Sequence, residues 1–239
     1  MCADDELAVR HAVRLLTKEA RTFTTVRWVQ HGFRGPAGDA RRPRNLMGQV
    51  DGTINPAPRE LDETVWVSEA TRRRFGPQPD WLVGGSAMVV RRITMHLDTW
   101  DQLDRGAREQ VIGRRLDDGR PLTGGRLEDE VDLEAVGDNG LEVIGPFAHT
   151  RRARTEDRSE RFLRRPYNYD DPPPAGALSD SGLVFVTFQA DLERQFLPVQ
   201  QRLAELDLLN EWTSPVGSAV FAVLPGARRG EVLGQALLS

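Results

Sequence analysis

One carboxylate stands out in an almost uncharged stretch: in "RNLMGQVDGTINP", positions 44 to 56, Asp51 lies against Gly52, and Arg44 is the only other charge. A side chain presented in this way is a candidate proton acceptor or donor. A hydrolase built on Asp51 would need a second acidic motif, and none singles itself out. Three of the four histidines offer no convergence on a metal: His11 falls in a predicted helix, His31 ends a predicted strand, and His96 sits on the more polar face of another. His149 has a different setting, "FAHTRRA", with Phe147 and Ala148 before it and Arg151 and Arg152 just after. An isolated histidine is ordinarily a surface residue or a satisfied core residue, so His149 gains a role only through its company. Cys2, the single cysteine, excludes a disulfide within the chain and any multi-cysteine zinc site.

With 239 residues, 39% of them hydrophobic and 28% charged, the chain can bury a proper core as one large domain or two small ones. Its 32 Lys and Arg are nearly all Arg, yet the net charge is −4, which leaves no electrostatic footprint for nucleic acid. No apolar run approaches the roughly 18 residues of a membrane span, and "MCADDELAVRH" is acidic where a signal peptide would be basic and then apolar. The chain as given is therefore expected to be cytoplasmic.

The elements that must position these residues follow from periodicity. "DELAVRHAVRLLTKEA" (5 to 20) spaces its apolar residues as an amphipathic helix, and "TTVRWVQHGF" reads as a strand. "RGPAGDARRPRN" has no period and marks a loop and a domain boundary. "GGSAMVVRRITMHL" sets Val89, Arg91, Ile93, Met95 and Leu97 against Val90, Arg92, Thr94 and His96, a strand with one mainly apolar face. Asp98 is placed to cap a helix through about residue 112, and residues 113 to 148 form an inserted loop region. "GLVFVTFQA" is a buried strand, followed by a helix in which Leu192, Phe196, Val199, Leu203 and Leu206 share a face; "GSAVFAVLPG" is the last strand. With one more strand near residue 148, the order from 85 onward is that of the split βαβ, ferredoxin-like unit.

Seven ordered segments resemble one family. "MGQVDG" carries Gly48, Asp51 and Gly52 in the GxxDG pattern of the dye-decolorizing peroxidases; "HTRRA" resembles the segment with their haem-ligating histidine, and "LRRPYNY" the one with their distal arginine. "WLVGGSAMVVRRITMHLDTWD", "EQVIGRRLDDGRPLTG", "GLVFVTFQADLERQFLPVQQRLAE" and "GSAVFAVLPG" add to the match. The resemblance implies an α+β chain of ferredoxin-like (split βαβ) units with antiparallel sheets, in the dimeric α+β barrel-like superfamily. Residues 1–44 would be the C-terminal remnant of the N-terminal unit and 45–239 the complete haem-binding unit. Family members carry a further hundred or so residues ahead of this point, so Met1 reads as an internal start, and a longer form could be exported by a twin-arginine signal.

The roles implied are those of a peroxidase using H2O2 and haem b. Asp51 would move the proton of bound peroxide between its oxygens. With a reference pKa near ~3.9, against ~6.5 for histidine, an aspartate still accepts a proton in mildly acid solution, so activity at low pH is expected. Arg164 would stabilise negative charge on the departing oxygen, and Gly48 and Gly52 would let the backbone turn tightly beside the macrocycle. His149 would be the metal ligand, with Arg151 among the cofactor contacts, Leu183 and Phe185 over the distal face, and Glu211 in "LLNEW" accepting from the far ring nitrogen of His149.

Bulky reductants would pass electrons through surface aromatics, with Trp66, Trp81, Trp100, Trp212, Tyr167 and Tyr169 as candidates. The implied partners are H2O2 and small aromatic reductants, and a homo-oligomer is compatible with the family. The competing reading is a haem-handling, deferrochelatase-like protein or an inert remnant; Asp51 and Arg164 speak against it, because mere haem binding needs neither.

Overall fold

The computed structural model describes residues 1–35, 43–51 and 54–238. Five strands, β1 (Ser86–Met95), β2 (Leu163–Arg164), β3 (Tyr167–Asp171), β4 (Asp180–Gln189) and β5 (Thr213–Val223), form one sheet. β1 is central, antiparallel to β4 on one side and β5 on the other; β2 and β3 both pair with the outer edge of β4. This is the α+β, antiparallel, ferredoxin-like arrangement, but the strand expected near residue 148 lies at 163–171 instead. The difference is local: residues 149–153 are helical, so the chain turns back to the sheet only after them.

The helices are α1 (Glu6–Ala20), α2 (Leu61–Thr64), α3 (Glu69–Phe75), α4 (Leu97–Trp100), α5 (Arg105–Ile112), α6 (His149–Ala153), α7 (Leu197–Leu206) and α8 (Gln235–Leu238). α1 forms where its spacing predicts, with the Asp5 side chain accepting from the Ala8 amide at its N-terminus. It buries no residue, and Leu7 and Leu16 are exposed. The strand expected at "TTVRWVQHGF" does not form: residues 24–32 lie outside any ladder, and Phe33 makes one bridge to Asn168. A strand needs a neighbour for its amides and carbonyls, and among the described residues none runs alongside this segment. The single helix expected from Asp98 to 112 is two. Asp104 caps the second through the Ala107 amide and ends the continuity after Trp100.

None of the described helices is long and apolar enough to cross a membrane. Residues 113–148 contain no helix or strand, as expected, yet they hold a small core of their own in which Val131, Ile144 and Ala148 are buried together. The main core beneath the sheet is Met47, Met95, Trp100, Val111 and Ile112, with Trp212 packed edge-on against Trp100.

On the opposite face of the sheet, Arg92 lies over the Tyr169 ring and pairs with Asp180 and Asp171, while the Tyr169 hydroxyl meets that of Thr94. Gly182 allows this packing: a Cβ there would stand 2.0 Å from the Ile93 carbonyl oxygen and 2.8 Å from the Tyr169 ring. Gly182→Ala should therefore destabilise the fold by about 1–3 kcal/mol, read as a lower urea midpoint with an unchanged slope.

Candidate active site

The alternation of β4 sends Leu183 and Phe185 to the same face as Arg91, Ile93 and Met95 of β1, because Ile93 pairs with Leu183 and Arg91 with Phe185. That face is one wall of a cavity of about 340 Å³. α7 contributes Val199, Gln200 and Leu203 to the lining, and Arg91 donates to the Gln200 side chain.

Asp51 reaches the cavity on a loop held at both ends. The Asn45 side chain accepts from the Met47 and Gln49 amides, the Trp100 indole donates to the Met47 carbonyl, and the Asp51 amide donates to Pro43. Gly48, at φ 83°, makes the turn that a side chain would resist. Arg44 fixes the outside of the loop by donating to the carbonyls of Gly48, Leu116 and Asp117. Gly52 lies outside the described residues.

Arg164 lines the same cavity from β2, its guanidinium donating to the Ile54 carbonyl at 2.7 Å. The Asn55 side chain clips the Arg164 backbone at both its amide and its carbonyl. The segment just beyond the Asp51 loop is thereby tied to the strand that carries the arginine.

His149 opens α6, and α6 packs on α7. Its Nδ1 lies 2.6 Å from Asp207 Oδ2. An ionised carboxylate only accepts, so Nδ1 is the donor, and the lone pair of a neutral imidazole is then on Nε2. Asp207 is buried, and its other oxygen accepts from the Leu209 amide, so its position is fixed.

Here the residue reading needs two corrections. The carboxylate on His149 is Asp207 and not Glu211, which is exposed one helical turn further on. Arg151 does not line the cavity: its guanidinium donates to the carbonyls of Leu133 and Ile144 and pairs with Glu142, bracing the loop region instead. Asp51, His149, Arg164, Leu183 and Phe185 do meet at one cavity.

Two further residues were missed. Asp207 carried one signal, its place as an N-cap before "LLNE". Arg114 carried none beyond lying in a matching segment. It is buried, with Nη1 donating to Gly119 and Leu127 while Nη2 has no partner among the described residues. Burial, and then the nearby charge of Arg164, lower its pKa.

Among the described residues no group of three or more His, Cys, Asp or Glu could hold a metal ion. Truncating Asp207 to Ala strands both His149 Nδ1 and the Leu209 amide. It should cost about 1–3 kcal/mol in urea unfolding, whereas Glu211→Ala should stay within about ±0.5 kcal/mol.

Residues 42–228 match the family described as Dyp-type peroxidase, C-terminal. The chain is 43% identical over 244 residues to the dye-decolorizing peroxidase of Thermobifida fusca, and 33% identical over 249 residues to a deferrochelatase of Escherichia coli. Those alignments cover 99% and 100% of this chain but 56% and 57% of the relatives, so the chain spans a little over half the length of either. The crystal structure of a DyP-type peroxidase from Cellulomonas bogoriensis superposes with a TM-score of 0.91 at 57% identity, over 99% of this chain and 65% of that one. With the family match over most of its length and 43% identity to a dye-decolorizing peroxidase, the chain belongs to the Dyp-type peroxidase family.

Proposed function

We propose that this chain is the haem-binding portion of a peroxidase that reduces H2O2 and oxidises phenolic or dye-like substrates. The observation that carries this reading is that Asp51, Arg164 and His149, which come from three separate segments, line one largely apolar cavity. Haem b fits the residues present. His149 Nε2 is a neutral imidazole donor held by an ionised carboxylate, the arrangement that orients a metal ligand and raises its basicity. The buried Nη2 of Arg114 supplies a donor for an acidic substituent of the macrocycle. Leu183, Phe185, Ile93 and Val199 supply apolar surface for the ring. When bound, haem supplies the iron that exchanges electrons with peroxide.

The chain's own residues do the proton work and the charge work. With haem held in the cavity, an Asp51 carboxylate oxygen would take a proton from one peroxide oxygen and return it to the other, so that this oxygen can leave as water with two electrons drawn from the haem. The Arg164 guanidinium, fixed by Ile54 and Asn55, stabilises the negative charge that grows on the departing oxygen. Because Asp51 and Arg164 both face this cavity, the haem-handling reading explains less of the site. The division into 1–44, as the end of a preceding unit, and 45–239, as the haem-binding unit, belongs to the same proposal. The unburied apolar face of α1 supports it.

Reconstitution with haem tests the assignment. The parent chain should show a histidine-ligated ferric spectrum that His149→Ala loses. Asp51→Asn and Arg164→Leu should keep that spectrum but react with H2O2 about 10²- to 10⁴-fold more slowly. Unaltered rates in both variants would remove the catalytic roles, and an unaltered spectrum in His149→Ala would remove the ligand.

A further inference from the structure

Thr187 and Gln189 continue the cavity face of β4 beyond Leu183 and Phe185, and both are completely buried. Thr187 Oγ1, Gln189 Nε2 and Gln189 Oε1 have no hydrogen-bond partner among the described residues. A buried hydroxyl or amide without a partner is costly, and native proteins relieve that cost with ordered water. Apolar side chains of the same size would fill this layer without any such demand.

The surroundings give the polar row a direction. Thr187 stands opposite Arg164 in the β2–β4 ladder, so the two side chains leave the sheet on the same face, and Val89 flanks Thr187 on the other side. Gln189 stands opposite Ala87, which carries only a methyl group. The chain then makes a π-helical turn, Leu192–Phe196, a form of helix often found at functional sites. In that turn the buried Gln195 is fully engaged, accepting from the Asp191 amide and donating to the carbonyls of Thr64 and Arg161. Buried polar side chains in this layer thus do find partners within the protein where the protein itself is the partner.

We infer that Thr187 and Gln189 hold a short file of ordered water, running from beside Arg164 into the layer near the Leu192–Phe196 turn, and that this file delivers protons to the cavity. The site stands on the buried polar atoms alone; its role rests on the peroxidase reading. Reduction of one H2O2 to two waters consumes two electrons and two protons. The electrons come from phenolic reductants, and the protons those reductants shed at the protein surface must reach the cavity by some path. A threonine hydroxyl donates and accepts at once, so it can pass a proton along a water chain, while the glutamine amide anchors water at both its oxygen and its nitrogen.

A high-resolution crystal structure of the haem-free chain, with Thr187→Val and Gln189→Leu beside it, tests the site. Ordered water is expected at hydrogen-bond distance from all three atoms, with density lost at the replaced group and Tm unchanged or lower. A dry layer in the parent, or a Tm that rises by about 2–4 °C per substitution, would overturn the inference, since an apolar side chain would then merely relieve strain.

The haem-reconstituted protein tests the role. Thr187→Val should slow turnover several-fold and raise the solvent deuterium isotope effect, and Thr187→Ser, which keeps the hydroxyl, should restore both. An unchanged rate and isotope effect in Thr187→Val would refute proton delivery. The first pair of readings needs no haem, so its failure is distinguishable from failure of the peroxidase reading.

Discussion

The register of β4 against its neighbours is the constraint on which the rest of the site depends. Side chains alternate along a strand, so a slip of one residue would turn Leu183, Phe185 and Thr187 to the far face and bring Val184 and Val186 into the cavity. Both faces of the strand resist such a slip. On one side Gly182 leaves room for the Tyr169 ring under Arg92, and on the other Arg164 is paired at a single position of the ladder. The Arg92 cluster lies on the face away from the cavity and touches none of the groups assigned to chemistry. Its contribution is to hold the register that points those groups correctly.

The loops add what the sheet does not supply. Asp51 is carried by a loop and His149 by the first position of the short helix α6, and each is held by hydrogen bonds to a buried group: the Asp51 loop by the Trp100 indole through Met47, and His149 by the Asp207 carboxylate. Both anchors sit against the same core, since Trp100 packs with Met95 and Ile112 while Leu208 and Leu209, just after Asp207, pack on that cluster. A change in the core beneath the cavity would therefore shift the acid–base group and the imidazole together.

Much of this was legible from strings of residues, because short-range patterns carry backbone geometry. The Gly48 turn, the alternation of "AMVVRRITM" and the apolar run of "GLVFVTFQ" all depend on immediate neighbours. Two misreadings share the opposite cause. "TTVRWVQHGF" has strand composition, but a strand exists only with a partner, and composition cannot report one. Glu211 and Asp207 are both acidic residues near "LLNE", and only the path of α7 onto α6 decides which of them meets His149. The family resemblance implies Arg151 as a cofactor contact, two residues after His149. Two residues' step along a helix rotates a side chain by roughly 200°, which is enough to send it to the loop side. Arg114 could not be singled out among so many arginines, because its distinction is burial.

That burial bears on what the cavity is built to receive. Glu130 pairs with Arg161, Glu160 with Arg202, and Asp207 with His149, so the carboxylates around the cavity wall are largely committed to partners of their own. Arg114 is set deep beside Arg164, and the two guanidinium charges disfavour each other there. Protein groups relieve part of this cost: the Glu130 charge favours the guanidinium and the Gly119 and Leu127 carbonyls take Nη1, while Nη2 stays buried without a partner among the described residues. A neutral apolar ligand would deepen the penalty by removing solvent without adding an acceptor. A flat apolar ligand with acidic substituents would bring an acceptor to Nη2 and a countercharge to the arginine pair, while its apolar body covers the Leu183 and Phe185 wall. The electrostatics of the arginines and the shape of the sheet face thus select the same class of molecule, from observations that do not depend on the imidazole.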